Sequence, residues 1–461
     1  LPLKALKRKF EKIENMKNLI LVSLLAVFTV SAKATINPDS SLNIIQKGLI
    51  ANKLLLVKDN IIKSNYRNAL SLCREILVDD KDNAMAHYRM AECYLKIFEY
   101  ETGLLSHAKA LASDPKVSKE SDLLLAYLSH RAGKLELAKE AILRYKATLN
   151  EKEIVDQEVD LTEMQISTAV ELMKNPVNAK VVEMGENINS HQDDYSPLIS
   201  PDGKTFYLCS RRPSSTGSEV NQFDFKYFED IYTSTRDESG NWQKAEVLDG
   251  KINTDEFDNC NYLNKEGDIM YLTYNVTNFT KSSDIAIAKM SKSGKWNLGK
   301  PIKSKLVNTT FFEACPTLPD AMDQMVFITE RPGGSGGSDL WKVGMRSGTP
   351  IGKPVNLSSL NTKYNETTPC FSGDGLFMFF SSEGHGSMGG YDIFISKFVQ
   401  GTWSTPVNLG YPINSVDDDT HFKISPDGKK AYFSSIRKDG SGARDIYEVD
   451  LSNLDLYGLI K

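Results

Sequence analysis

Between residues 190 and 450 the hydrophobic pattern is short-ranged: brief apolar runs with polar alternate positions, separated by turns rich in Gly, Asp and Ser. Such runs read as half-buried strands, because successive side chains of an extended backbone point to opposite faces. They recur in one order. An acidic residue opens an apolar strand; a turn often written Ser-Pro-Asp-Gly leads to a second strand ending near Ser; a glycine-rich loop leads to a third strand that begins with Asp. Asp230, Asp284, Asp339, Asp392 and Asp445 open the tracts DIYT, DIAI, DLWK, DIFI and DIYE, at spacings of 54, 55, 53 and 53. A period that regular in strand-rich units predicts stacked blades, hence a five-bladed β-propeller.

The fourth unit shows the four strands of a blade. Residues 372–375 form a tight turn, 376–381 an apolar run, 384–390 a loop, 393–398 a strand of period two, and Gly401 turns into a last strand over 403–409. Residues 177–190 end like the tails of the fourth strands (Ile252-Asn253-Thr254, Val307-Asn308-Thr309, Leu360-Asn361-Thr362, Ile413-Asn414-Ser415), yet no blade precedes them. The final unit stops after its third strand. The N-terminal strand is therefore predicted to complete the last blade, closing the ring and removing exposed sheet edges. Residues 211–228 are the long insertion of the first blade and predict a protruding loop.

Upstream the period changes to that of helices. Residues 50–149 fit two-helix repeats of about 34 residues, with the small or large positions of the tetratricopeptide pattern at Ala91, Tyr94, Gly103, Ala110 and Pro115. Ala126 and Ala138 continue the pattern, and Ala69 and Ile76 precede it. Small residues let paired helices approach closely, and three repeats make a short curved solenoid. Residues 161–173 predict a capping helix, whereas 151–158 are too charged for a core. The fold class expected is thus α+β multidomain, an α-helical solenoid followed by an all-β propeller. Its divisions are 1–34 leader and signal peptide, 35–149 helical repeats, 150–176 linker and cap, 177–451 propeller and 452–461 tail.

The extreme N-terminus reads as an address. After Met16-Lys17, the favoured start, comes an apolar run over 19–30 and then Ala32-Lys33-Ala34, a small-x-small cleavage pattern. The run is too short to span a membrane stably, so no transmembrane helix is expected after cleavage following Ala34. The chain is then exported, to the periplasm. Net charge is −5 over the whole chain and the leader is basic, so the remainder is more acidic still. That argues against a nucleic-acid partner, which needs a basic footprint. Six cysteines permit disulfides in an exported chain without demanding them; Cys73 and Cys93 could pair, and buried free thiols are the preferred reading.

Aligning the blades brings Asp194, Asp258, Glu313, Glu366 and Asp419 to one position, before the innermost strand, with Ser196, Cys260, Cys315, Thr368 and His421 two residues later. Five convergent carboxylates at a channel mouth would suit a cation or a basic ligand. Alternatively each accepts N–H bonds within its own blade turn; this explains the repetition equally well and is preferred. A zinc site from Cys260, Cys315 and His421 has suitable ligand types but draws on different blades. The blade-opening Asp230, Asp284, Asp339, Asp392 and Asp445 are expected to cap the glycine-rich loops structurally. Residues 333–337 match G-x-S-x-G but lie between strands, not in a strand-to-helix elbow. No catalytic residue, metal site or cofactor is expected.

The tracts SPDGKTFYLCSRR (200–212), SGDGLFMFFSSEGHGSMGGYDIF (372–394) and SPDGKKAYFSSIRKDGSGARDIY (425–447) resemble the PD40, or WD40-like, repeats of TolB-type propellers. With the helical repeats and the joint at 175–203, residues 50–451 resemble the OmpA-family, PorE-like envelope proteins of the Bacteroidota. Those proteins usually continue into a C-terminal OmpA-like domain that holds peptidoglycan. This chain stops ten residues after the last blade, so peptidoglycan binding is not carried over. The resemblance implies a non-enzymatic periplasmic adaptor associated with outer-membrane components, in a type IX secretion or gliding-type complex. The alternative is a ligand-binding propeller that takes a glycan, peptide or cation at its acidic mouth.

Overall fold

The structure, a computed structural model, describes residues 42–459 apart from 214, 217–219, 222–223 and 276–282. The leader and its cleavage site lie outside the described residues. Three helical hairpins come first: α1 (Ile44–Ile62) with α2 (Tyr66–Asp79), α3 (Ala84–Lys96) with α4 (Tyr100–Ser113), and α5 (Ser121–Arg131) with α6 (Leu135–Lys146). Each turns through a left-handed residue, Ser64, Phe98 and Gly133, with φ of 59°, 65° and 71°. Ala69, Ala91, Ala110, Ala126 and Ala138 are fully buried at the helix contacts. A Cβ on Gly103 would stand 2.5 Å from Leu128 Cδ2 and 3.3 Å from Tyr94 Cβ, so glycine sets the approach of α4 to α3 and α5. The charged stretch forms the short helix α7 (Glu151–Asp156), which buries none of its residues. Helix α8 (Val159–Lys174) packs on α6 and buries Val159, Leu161, Ile166 and Ala169.

The rest is a closed five-bladed β-propeller. The first blade is β2 (Asp194–Ile199), β3 (Thr205–Ser210), β4 (Asp230–Thr235) and β5 (Glu246–Val247). The second is β6 (Asp258–Leu263), β7 (Ile269–Asn275), β8 (Ser283–Lys289) and β9 (Lys300–Pro301), and the third is β10 (Glu313–Thr317), β11 (Gln324–Thr329), β12 (Asp339–Arg346) and β13 (Thr349–Asn356). The fourth holds β14 (Glu366–Phe371), β15 (Phe377–Ser382) and β16 (Asp392–Val399), with the short β17 (Thr402–Trp403) and β18 (Val407–Asn408) both on β16. The last comprises β19 (Asp419–Ile424), β20 (Lys430–Ser435) and β21 (Asp445–Asp450), and its outer strand is the N-terminal β1 (Lys180–Glu183). β1 pairs antiparallel with β21, Lys180 opposite Asp450 and Glu183 opposite Tyr447, which is the predicted closure.

Second strands are buried on both faces because every blade is sandwiched by two others. The apolar side chains accordingly gather into seams between blades. Cys209, Ile231, Leu272 and Ala286 fill one seam, Tyr271, Ile285, Phe327 and Val343 the next, and Val326, Leu340, Phe380 and Phe394 the third. Phe379, Ile395, Phe433 and Tyr447 fill the fourth. Where the last blade meets the first, Phe206 and Tyr432 meet edge to face at 5.2 Å. Burial of these seams is the main stabilising term for the ring.

Two local expectations need completion. The ends of the insertion after β3 are tied together: Arg211 donates to the Tyr227 carbonyl (2.6 Å) and Asp224 (2.6 Å), and Lys226 reaches Asp193 (2.5 Å). Cys73 and Cys93 are both free and buried, and burial pushes each thiol up to about 12.

Candidate functional site

The repeated tail Asn-Thr/Ser has a local reason in every blade. Asn189, Asn253, Asn308, Asn361 and Asn414 each accept the N–H of one residue in the third strand and return a bond to its C=O. For Asn414 these bonds run from the Ile393 N–H (2.8 Å) and to the Ile393 C=O (2.9 Å); the same pair recurs at Ile446, Ile231, Ile285 and Leu340. The next residue, Ser190, Thr254, Thr309, Thr362 or Ser415, donates its backbone N–H to the carboxylate four positions on, at 2.5 to 2.9 Å. Asp194, Asp258, Glu313, Glu366 and Asp419 are thereby all fully buried and held within their own blades. Arg212, Arg331 and Arg437 pair with Asp194, Glu313 and Asp419 at 2.8, 3.4 and 3.2 Å. In the fourth blade Gly384 stands at the arginine position and in the second the sequence has Val276. Burial therefore pushes Asp258 up to about 8 and Glu366 up to about 7.

The blade-opening aspartates sit at the third strands. Asp230 accepts from Thr216 N (2.6 Å), Asp339 from Ser335 N (2.9 Å), Asp392 from Met388 N (2.7 Å) and Asp445 from Gly442 N (2.9 Å); the loop before Asp284 is outside the described residues. Glycines in these loops serve contact between blades. A Cβ on Gly336, Gly389 or Gly442 would fall 2.0, 2.2 or 2.2 Å from the carbonyl oxygen of Tyr364, Asp417 or Gln192 in the following blade's entry loop. The G-x-S-x-G match at 333–337 is such a loop.

Two residues after each carboxylate the inner strand bulges, and Ser196, Cys315, Thr368 and His421 adopt left-handed backbone. A bulge frees a backbone N–H from its own ladder. Here it reaches the preceding blade: Ser196 N to Ser434 Oγ (3.2 Å), Cys260 N to Cys209 Sγ (3.2 Å), Cys315 N to Thr273 Oγ1 (3.0 Å) and His421 N to Thr368 Oγ1 (3.1 Å). The candidate zinc ligands thus belong to a ring of stitches between blades.

A concavity lies elsewhere, where the solenoid meets the propeller. Tyr88, Glu92 and Leu95 of α3, and Leu124, Tyr127 and Arg131 of α5, recur at helical spacing and so share one face. With Phe98 and Glu120 they line a groove of about 610 Å³ that ends on Asp417 and Asp418 of the propeller. The floor is apolar and aromatic. The rim is acidic, with Glu92, Glu120, Asp417 and Asp418 against Lys96 and Arg131. The propeller end is anchored: Tyr100 donates to Asp417, Arg131 donates to the Val416 carbonyl, and Arg444 pairs with Asp418 at 2.9 Å. Burial pushes Asp417 up to about 6 despite the opposing Arg131 guanidinium. Behind this rim Gln165 Nε2 donates to Ser387 Oγ (3.3 Å), and Val177 N donates to the Tyr411 carbonyl (2.7 Å).

Phe98 is the unusual member. Its φ of 65° is one that Ser64 and Gly133 occupy at the equivalent turns, and a bulky residue there carries backbone strain. The strain holds a half-buried aromatic ring at the groove. The helical repeat period exposes the groove-forming helices in the sequence. Nothing in it couples Tyr100 and Arg131 to Asp417, because the contact spans some 300 residues.

The fold and this site define a class: a helical-repeat protein docked on a five-bladed β-propeller, with a groove at the junction. By sequence the chain matches no protein family and no curated protein. By fold it is similar to an α-L-arabinofuranosidase from Lactobacillus brevis, with 14% identity over 58% of this chain and 94% of that one and a TM-score of 0.37. An α-L-arabinofuranosidase from Clostridium thermocellum gives 14%, 55%, 88% and 0.35, and the β-xylosidase RS223 gives 12%, 58%, 94% and 0.37. The likeness is one of fold and assigns no reaction to this chain. It does correct one expectation: the propeller was read as non-enzymatic, and structures of this fold include glycosidases, so that exclusion does not stand.

Proposed function

We propose that the protein is a polypeptide-binding protein whose ligand lies in the groove between the solenoid and the propeller. The observation that carries this reading is the composition of the groove. Leu95, Phe98, Leu123 and Tyr127 offer half-buried apolar area, and Glu120, which among the described residues has no ion-pair partner, favours a Lys or Arg side chain, so the ligand is a segment that combines apolar residues with a basic one. The strained backbone at Phe98 supports it, since strain persists where the surrounding structure and a function require the side chain. We place the protein in the periplasm, with outer-membrane components as partners, on the leader pattern over 17–34 and the resemblance to envelope proteins with tetratricopeptide and PD40 repeats. Among the described residues no helix is long and apolar enough to cross a membrane.

The test is a random peptide library panned against the intact chain. Enriched sequences pair Leu, Phe or Trp with Lys or Arg, and their affinity falls in Tyr127→Ala, Glu120→Ala and Phe98→Gly, the last of which relieves the backbone while deleting the ring. Absence of any enrichment, or peptides whose affinity ignores all three substitutions, overturns the proposal.

A further inference from the structure

A second concavity lies on the flank of the propeller, remote in sequence from the groove. It has a volume of about 970 Å³ and runs between the outer strand of the second blade, β9, and the turn that joins β12 to β13 in the third. Lys251, Lys289, Lys300 and Lys303 line it, all exposed, and no carboxylate does. Among the described residues none of the four makes an ion pair, whereas Lys226, Lys295 and Lys430 each have a carboxylate at 2.5 to 2.6 Å. In a chain of net charge −5 this is a local reversal of sign.

We propose that this trough is a binding site for an acidic polypeptide segment in extended conformation. The charges are spread along the trough on flexible lysines, which act as separate point charges; no arginine fork is present to grip a single phosphate or carboxylate. No aromatic side chain lines it, so it has no platform on which a nucleobase could stack. Its apolar element is Leu298, 49% exposed, set beside Pro301 and Pro350. β9 is only two residues long and pairs with β8 alone, and Pro301 brings no N–H to its edge, so side chains and not a strand ladder hold the guest. Carboxylates at intervals along a peptide, with an occasional apolar side chain, match that arrangement. The site rests on different residues from the groove and stands or falls separately.

The test uses the full chain and fluorescein-labelled poly-L-glutamate, read by anisotropy at low salt. A variant with Lys251, Lys289, Lys300 and Lys303 all changed to Gln is compared with a charge-matched control changing Lys58, Lys139, Lys152 and Lys438 to Gln, with melting curves to show that both are folded. Loss of four rim charges is expected to raise Kd roughly tenfold in the trough variant and less than about twofold in the control. Equal weakening in both variants reduces the effect to diffuse charge and overturns the proposal. Trough-dependent binding of inorganic polyphosphate that exceeds poly-L-glutamate overturns the polypeptide assignment.

Discussion

His130 Nε2 lies 2.8 Å from the carbonyl oxygen of Met388, a bond from the last turn of α5 to a glycine-rich loop of the fourth blade. The imidazole is buried, which pushes its pKa down to about 3, and the neutral ring donates to the carbonyl. The unfolded chain takes up this proton near pH 6.5 and the docked protein does not. Stability from this group is therefore full above about pH 6.5 and declines as pH falls toward 3. Acidification from pH 7 to pH 4.5 is expected to loosen the solenoid from the propeller, seen as a rise in the radius of gyration by small-angle scattering. His130→Gln, which keeps a donor and does not titrate, should flatten that response; an unchanged response would remove His130 from the cause.

Asp258 and Glu366 carry the opposite sign. Burial without an arginine partner raises them to about 8 and about 7, so the folded protein holds protons that the unfolded chain has lost above about pH 4. Their contribution is full below that pH and disappears as pH rises through 7 to 8. The melting temperature should fall between pH 6 and pH 9, and Asp258→Asn combined with Glu366→Gln should melt higher than the parent at pH 9. An identical pH slope in parent and double variant would contradict this.

Asn414 is fully buried and makes two bonds to Ile393, so removing it strands the buried Ile393 N–H, while the Ile393 carbonyl keeps the Leu409 N–H at 3.1 Å. Asn414→Ala is expected to cost about 1–3 kcal/mol by chemical denaturation. Asn414→Asp, which still accepts from Ile393 N but sets a carboxylate against the Ile393 carbonyl, should be at least as damaging at pH 8 and milder at pH 5, where the acid is protonated. Near-neutral behaviour of both would mean that the clamp adds nothing to the blade.

At Gly389 a Cβ would sit 2.2 Å from the backbone oxygen of Asp417. Backbone cannot yield as a side chain can, so Gly389→Ala should displace Asp417 and with it the Tyr100 and Arg131 contacts. The expected result is loss of affinity for groove-selected peptides together with a lower melting temperature, while Gly401→Ala, at a turn with open space around it, lowers stability alone. A Gly389→Ala protein with full peptide affinity would detach the groove from this interface.

The propeller was legible because its determinants are local and repeated. Period-two strands, the Ser-Pro-Asp-Gly turns and the Asp spaced 53 to 55 residues apart each act within one blade, and the surplus N-terminal strand announced the closure that β1 makes with β21. The helical hairpins were legible for the same reason, through Ala91, Gly103 and Ala126 at fixed offsets. The Asn clamps were visible as a recurrent Asn-Thr/Ser without a role, since their partners in the third strand lie 21 to 23 residues away in four blades and 257 in the last. Whether the carboxylates faced the channel or their own turns depended on where the chain folded back, which a register cannot state. The groove, the latch from Tyr100 and Arg131 to Asp417, and the lysine trough exist only in three dimensions: each joins segments whose side chains do not constrain one another along the chain, and packing of one body on another decided which charges met and which stayed alone.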